Sequence, residues 1–537
     1  MSESYLDSLI GQMFVVGLQG LAVDAEFRES YLRYPFGGFI LFERNVYDSE
    51  QLKELIADLN NCASERHAGH GEPLICVDQE GGNLSPLKKI VSSMPGNMGL
   101  GAAQDPELAR YAGYVTGREL SALGINLNLA PVLDLARDPV NPSVSARAFS
   151  DNPEAVAALG EAYATGLQQA GVLFTAKHFP GHGSVTEDSH VTLPVSDATM
   201  DDLLTADLIP FKEVMKLPNC AIMASHVVFS ELDPNLPASL SSVHVQRLLR
   251  GMLAFDGVVI TDCLEMDGIK TIGQVPDVAV LAVKAGCDLL LISHTPHLQE
   301  AAYIAVRDAV RTARISVDRI KESVYRIVRW KKARLSLKAQ NSEFDLPPGL
   351  HLTPKFNLTP GSYLTPDSIG ERVVTFVPGE TKWSFGHSPI ILVVPEMKPL
   401  TPAEDPLDLA VLEDELRRQG LDCIRINCSI DPCHEEVRKV VHQIEAITDD
   451  DTGVALVVRN PEGALKGQTA LASTIQSIRN LLLICVREPR ETRAVQDGLS
   501  RKAPAIFTYS TEYIALSSLA RILVGNADAK GVLPVKL

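Results

Sequence analysis

Eight short apolar runs are spaced along the first part of the chain, and most are separated by longer helical patterns. They are QMFVVGL (12–18), GGFILF (37–42), PLICVD (73–78), INLNLAPVLD (125–134), LFTAKHF (173–179), CAIMASHV (220–227), DGVVITD (256–262) and CDLLLIS (287–293). Most are rich in β-branched residues and apolar on both sides, the pattern of a strand with both faces covered. Between them lie amphipathic segments such as SEQLKELIADLNN (49–61) and NPEAVAALGEAYATGLQQAG (152–171). Several open on an N-cap residue and end at glycine, as helices do. Eight strands alternating with helices predict an α/β fold, a TIM-like (β/α)8 barrel. The connection 19–36 is the least regular, so a misplaced or reversed strand is expected there if anywhere.

A long basic helix, SVDRIKESVYRIVRWKKARLSLK (316–338), ends this part. Beyond it Pro347, Pro348, Pro354, Pro360 and Pro366 stand among many Ser, Thr and Asn residues, which reads as an extended linker. Alternation then resumes with ERVVTFVP (371–378), PIILVVPE (389–396), DCIRINCS (422–429), GVALVVR (453–459), LLLICVRE (481–488) and APAIFTYS (503–510). These runs predict a smaller open α/β sandwich with a mostly parallel sheet. The expected division is a barrel at 1–338, a linker at 339–370 and a C-terminal α/β domain at 371–537. A chain of 537 residues is too long for one ordinary domain, and 45% hydrophobic residues suffice for large cores. The second part carries no glycine-rich phosphate loop and no recognisable nucleophile motif.

The formal charge is −18, from 49 basic and 67 acidic residues. Such a surface argues against a nucleic-acid or anionic-membrane partner, and an anionic substrate would need local basic residues. The opening segment MSESYLDSLIGQMF lacks the basic and apolar regions of a signal peptide. No apolar run approaches the roughly 18–20 residues of a membrane span. Nine scattered cysteines read as reduced thiols, so a cytoplasmic location is expected. Cys423, Cys428, Cys433 and His434 lie near one another, but their spacing does not match a zinc knuckle. No metal and no cofactor are expected.

Chemistry in β/α barrels gathers at the carboxyl ends of the strands. Five runs carry ionisable residues there: Asp78, Asp134, Lys177 with His178, His226, and Asp262. Any one of them alone reads better as a solvated strand end; together they point to one mouth. The stretch KHFPGHGSVTEDSH (177–190) carries the most chemistry. His178 and His182 have the spacing of a helical metal pair, but Pro180, Gly181 and Gly183 oppose a helix, and Lys177 discourages a cation. Lys177 and His178 fit better as donors to hydroxyls or a carboxylate. Asp188 lies two residues before His190, close enough to fix an imidazole tautomer and raise its basicity for general acid/base work. The competing reading is a mobile polar loop. Asp262 ends its strand as a binder of a sugar hydroxyl, a metal ligand or a carboxylate nucleophile.

These same segments resemble the family 3 glycoside hydrolases, in their β-N-acetylglucosaminidase (β-hexosaminidase) branch. The matching pieces are GQMFVVG, GGFILFERN, VDQEGG, GINLNLAPVLDL, ARAFSDNP, KHFPGHGSVTEDSH, MASHV, GVVITDCLEM and AGCDLLL, with ARILVGNADAKGVLPVKL at the end of the chain. The resemblance implies Asp262 as the nucleophile that forms a covalent glycosyl-enzyme, His190 as acid/base and Asp188 as its dyad partner. It implies that Asp78, Arg147, Lys177 and His178 grip N-acetylglucosamine, with His226 and Met266 lining the same region. The implied activity is a retaining exo-β-N-acetylglucosaminidase acting on a small carbohydrate, a muropeptide or chitooligosaccharide, without a cofactor and as a monomer or homodimer. A phosphorylase on the same scaffold, a non-catalytic sugar binder and a metal-dependent hydrolase stand as alternatives. One position departs from the family pattern: Asn83 follows VDQEGG where arginine is usual, which predicts a missing charge near the sugar.

Overall fold

Each of the eight apolar runs holds one strand of a single closed sheet. In the computed structural model these are β1 (Phe14–Gly17), β2 (Gly38–Leu41), β3 (Leu74–Val77), β4 (Leu127–Asn128), β5 (Leu173–Phe179), β6 (Cys220–Ala224), β7 (Val258–Cys263) and β8 (Leu289–Ile292). They pair in parallel in chain order, and β8 closes onto β1 through Phe14 opposite Leu290 and Val16 opposite Ile292. The structure describes residues 3–66, 71–138, 141, 143–189, 191–340, 365–383, 389–397, 407–447, 452–459 and 466–537.

The irregular first connection hides no reversal, for β2 runs parallel to β1. It contains a helix, Ala25–Arg33, capped by Asp24, whose carboxylate accepts the Phe27 N–H at 2.7 Å. Only Tyr31 of that helix is buried, so its sequence shows little apolar stripe. The fourth run is ten residues long, yet only Leu127 and Asn128 form regular strand. Two asparagine side chains extend the pairing. Asn126 bonds the Ile75 N–H and the Pro73 carbonyl, both at 2.8 Å, and Asn128 bonds both backbone groups of Gln79 at 3.0 and 2.9 Å.

A second sheet has the order β9–β14–β13–β12–β10–β11, with β9 (Thr375–Val377), β10 (Ile390–Pro395), β11 (Cys423–Cys428), β12 (Gly453–Val457), β13 (Leu481–Cys485) and β14 (Ala505–Phe507). All its pairs are parallel except β9 with β14. The run ERVVTFVP divides: a helix, Pro366–Val373, ends inside it before β9 begins. That helix starts within the predicted linker because Thr365 and Ser368 form a reciprocal cap. At the other end the basic helix, Val317–Gln340, runs two residues past 338, and linker residues 341–364 lie outside the described residues.

The second sheet docks on loops at the carboxyl end of the barrel. Met98, Ala136, Val144 and Ala148 share an apolar cluster with Val393, Leu483 and Val535. Polar bonds cross the same seam, from Arg490 Nη1 to the Arg137 carbonyl (3.1 Å), from Ser93 to Glu512 (3.0 Å) and from Ser150 to the Pro534 carbonyl. Among the described residues no helix is long and apolar enough to cross a membrane.

Candidate active site

Four charged side chains form an alternating chain at the barrel mouth. Lys177, on β5, donates to Asp78 Oδ1 and lies as close to Glu80 Oε1, both at 2.6 Å. Arg147 holds Glu80 with two parallel bonds of 2.9 and 2.8 Å. Burial alone would raise the Glu80 pKa, but Arg147 and Lys177 outweigh it and hold the carboxyl near about 2. Burial would likewise lower Lys177; Asp78 and Glu80 reverse this, so its pKa is raised and the ammonium stays charged. Glu80 is sealed within the cluster, whereas the Asp78 side chain keeps 24% of its surface exposed toward the cavity.

The next residue faces the other way along the mouth. His178 Nδ1 lies 2.7 Å from Asp134 Oδ2, and its Nε2 lies 4.0 Å from Asp262 Oδ2. Asp134 also accepts the His182 N–H at 2.7 Å. Burial would raise the pKa of Asp134, but His178 and His182 lower it overall, so it serves as an anionic anchor for the imidazole. Asp262, near the end of β7, accepts the Cys263 N–H on Oδ1 at 2.7 Å. One carboxylate oxygen is therefore oriented by backbone, and the other is directed toward His178.

Asp78, Arg147, Lys177, His178, Asp262 and Met266 line a common cavity of about 620 Å³. Six of the nine predicted site residues meet there. The remaining three differ. His226 is completely buried and absent from the cavity wall; its nitrogens lie 2.7 Å from Ser239 Oγ and 3.0 Å from the Cys263 carbonyl. It thus contacts the end of β7 at Cys263, where the sequence reading expected it to line the sugar region. Asp188 lies outside the cavity wall, buried, and accepts the Ser143 hydroxyl at 2.6 Å. His190 lies outside the described residues.

Two other residues singled out in the sequence also stand away from the cavity wall. His182 is buried, and burial pushes its pKa down to about 4, so its ring is neutral; it contacts Ser189 Oγ at 3.1 Å. Asn83 does not face the cavity: its amide donates to the Tyr509 carbonyl in the second domain at 3.3 Å. The missing charge is thus at the seam between domains.

Sequence reasoning assigned no role to Glu80, although it stands two residues after Asp78, or to Ser143. Asp134 was recognised only as a strand end. The far wall of the cavity was missed too: Arg44 lies 4.3 Å over the Phe42 ring, and the Phe42 and His294 rings are 5.1 Å apart. A signal was present in the polar end of GGFILFERN. No group of three or more His, Cys, Asp or Glu side chains among the described residues could hold a metal ion.

A mouth with an oriented carboxylate, a ring of fixed donors and a cavity larger than one pyranose suits glycosyl transfer to water or another acceptor. Comparison with known proteins agrees. Residues 5–330 match the model of the glycosyl hydrolase family 3 N-terminal domain. A β-hexosaminidase of Thioalkalivibrio sulfidiphilus (strain HL-EbGR7) is 39% identical over 288 residues, 52% of this chain and 80% of that one. The structure of a family 3 β-N-acetylglucosaminidase from Paenibacillus sp. str. FPU-7 is 34% identical, covers 99% of both chains and superposes with a TM-score of 0.86. A β-glucoside phosphorylase shares the fold at 19% identity, covering 100% of this chain and 94% of that one with a TM-score of 0.78. On the family match over its barrel and the full-length likeness to a solved member, the chain belongs to glycosyl hydrolase family 3.

Proposed function

We propose that this glycoside hydrolase is a β-N-acetylhexosaminidase that removes terminal N-acetylglucosamine with retention of configuration. The observation that carries the reading is Asp262: its Oδ1 is fixed by the Cys263 N–H, and it lines the cavity shared with Asp78, Lys177, Arg147 and His178. A nucleophilic carboxylate must reach the anomeric carbon from one face while donors hold the ring hydroxyls. Asp188 and His190 would supply the acid and base in place of a second carboxylate. The β-hexosaminidase and β-N-acetylglucosaminidase relatives support this activity. Muropeptide fragments or short chitin oligomers are the substrates that fit it, and nine free thiols support a reducing, cytoplasmic setting.

The test is nitrophenol release from an aryl β-N-acetylglucosaminide. Asp262→Ala should lower kcat/KM by at least about a thousandfold, the scale of losing a principal catalytic group. A fluorinated glycosyl substrate should leave a covalent adduct on Asp262, seen by mass spectrometry. An active enzyme with no adduct, or an Asp262→Ala variant with unchanged turnover, defeats the mechanism. Products from chitobiose and from a muropeptide, followed side by side, assign the substrate. A sugar 1-phosphate formed only in phosphate buffer would reassign the enzyme as a phosphorylase.

A further inference from the structure

We infer that Ser143 is a positioning residue for the acid/base pair, and that it joins the sugar-gripping cluster to the loop that moves the proton. The inference rests on the reading of Asp188 as the dyad carboxylate. Ser143 lies in the loop after β4, whereas Asp188 lies in the loop after β5. Its hydroxyl donates to Asp188 Oδ1 at 2.6 Å, within the range of a charge-assisted O–H···O⁻ bond. Both residues are buried, Ser143 at 2% and Asp188 at 8% exposure, so little water competes for the bond.

The serine is itself fixed from two directions. Asn141 Oδ1 accepts the N–H groups of Ser143 and Val144 at 3.0 Å each, which aims the serine, while Asn141 Nδ2 donates to the His182 carbonyl at 2.7 Å. A further bond joins the loops, from the Asp138 N–H to the Gly183 carbonyl at 3.3 Å. They approach so closely that a Cβ on Gly183 would stand 2.0 Å from the Leu135 carbonyl oxygen. From the other side, Arg147 Nη1 donates to the Ser143 carbonyl at 2.6 Å while the rest of its guanidinium grips Glu80. A continuous path therefore runs from Asp78 through Lys177, Glu80, Arg147 and Ser143 to Asp188. One end touches the cavity and the other holds the carboxylate of the dyad. With Oδ1 taken by the hydroxyl, the direction of the second carboxylate oxygen is set before a substrate arrives.

The consequence is specific to acid assistance. A leaving sugar needs a proton, whereas a dinitrophenolate leaves without one. Ser143→Thr and Ser143→Val are near-isosteric and differ in the hydroxyl, so they separate the bond from the packing. The valine variant should lose about tenfold in kcat/KM on chitobiose, the scale of one charge-assisted hydrogen bond, and less than about twofold on a 2,4-dinitrophenyl N-acetylglucosaminide. The threonine variant should retain most of both activities. Adding Ser143→Val to Asp188→Ala should cost nothing further on chitobiose, because the serine would act only through that carboxylate. Equal losses on the two substrates, or additive losses in the double variant, would overturn the role of Ser143. If a folded Asp188→Ala enzyme keeps full activity on chitobiose, the dyad reading itself fails, a different result from failure of the serine alone.

Discussion

At the floor of the barrel Asp288, just before β8, is completely buried. It meets Arg250 (2.7 Å), Arg319 (3.1 Å), Arg326 (3.4 Å), the Ser323 hydroxyl (2.7 Å) and the Val259 N–H (3.1 Å). At the mouth Glu80 is as deeply buried between Lys177 and Arg147. The floor cluster ties the long C-terminal helix, Val317–Gln340, to the starts of two strands and runs on through Arg326 to the exposed Asp256 at 3.3 Å. The mouth cluster ends at Asp78, which keeps part of its surface on the cavity. Similar buried ion pairing thus holds a scaffold at one end and places polar groups on a cavity wall at the other. The difference lies in where each network leads: from Asp288 to the outer helix and the surface carboxylate Asp256, and from Glu80 to the cavity at the barrel mouth.

The largest effect should come from the floor. Asp288→Asn leaves three arginines around a neutral group and should cost about 3–5 kcal/mol, as breaking a buried pair does. Denaturant unfolding checks the loss, and KM of the surviving folded enzyme should be unchanged. A normal stability with altered KM would erase the distinction between the two ends.

Glu80→Gln at the mouth should change both properties. The carboxyl titrates near about 2 in the fold against an ordinary 4.5, so its ionised form is preferentially stabilised by folding. That contribution is complete above about pH 4.5 and is lost as the pH falls through about 2; the shift corresponds to about 3 kcal/mol. Wild type and Glu80→Gln should therefore differ most in stability near neutrality and converge in acid. KM should rise by about tenfold at the same time, because Lys177 and Arg147 lose the charged bonds that hold them in place. A stability change without a KM change would make the mouth cluster only another scaffold.

The barrel was legible because its strands are covered on both faces, which leaves uninterrupted apolar runs such as PLICVD and GVVIT. The strand ends that face the cavity, Asp78, Lys177, His178 and Asp262, were legible for the same reason: each charge closes an apolar run. His226 closes a run too, yet it turns inward to Ser239 and Cys263, and strand position alone does not reveal that turn. The partners of Glu80 and Ser143 lie 67 and 45 residues away, so the bonds that place these two side chains cannot be read from local spacing. The beginning of β9 was misread because the valines of ERVV lie at the end of a helix, where the same residue types pack equally well.

The smallest effect concerns Asn83, and it sharpens the boundary of the mouth. The sequence suggested a charge missing from the sugar site, but this side chain meets the Tyr509 carbonyl. Its role is then to seat the second domain on the barrel. Asn83→Ala should remove one neutral hydrogen bond, worth about 1 kcal/mol, and leave KM within about twofold. Asn83→Arg should not tighten substrate binding, because a guanidinium there must find room beside Gly82, which is itself packed against Gly96 and Ser510. Differential melting of the two variants, with KM measured on the same samples, decides it. A marked fall in KM for the arginine variant would extend the mouth to the domain seam; unchanged KM with a lower melting temperature would confine it to the cluster that ends at Asp78.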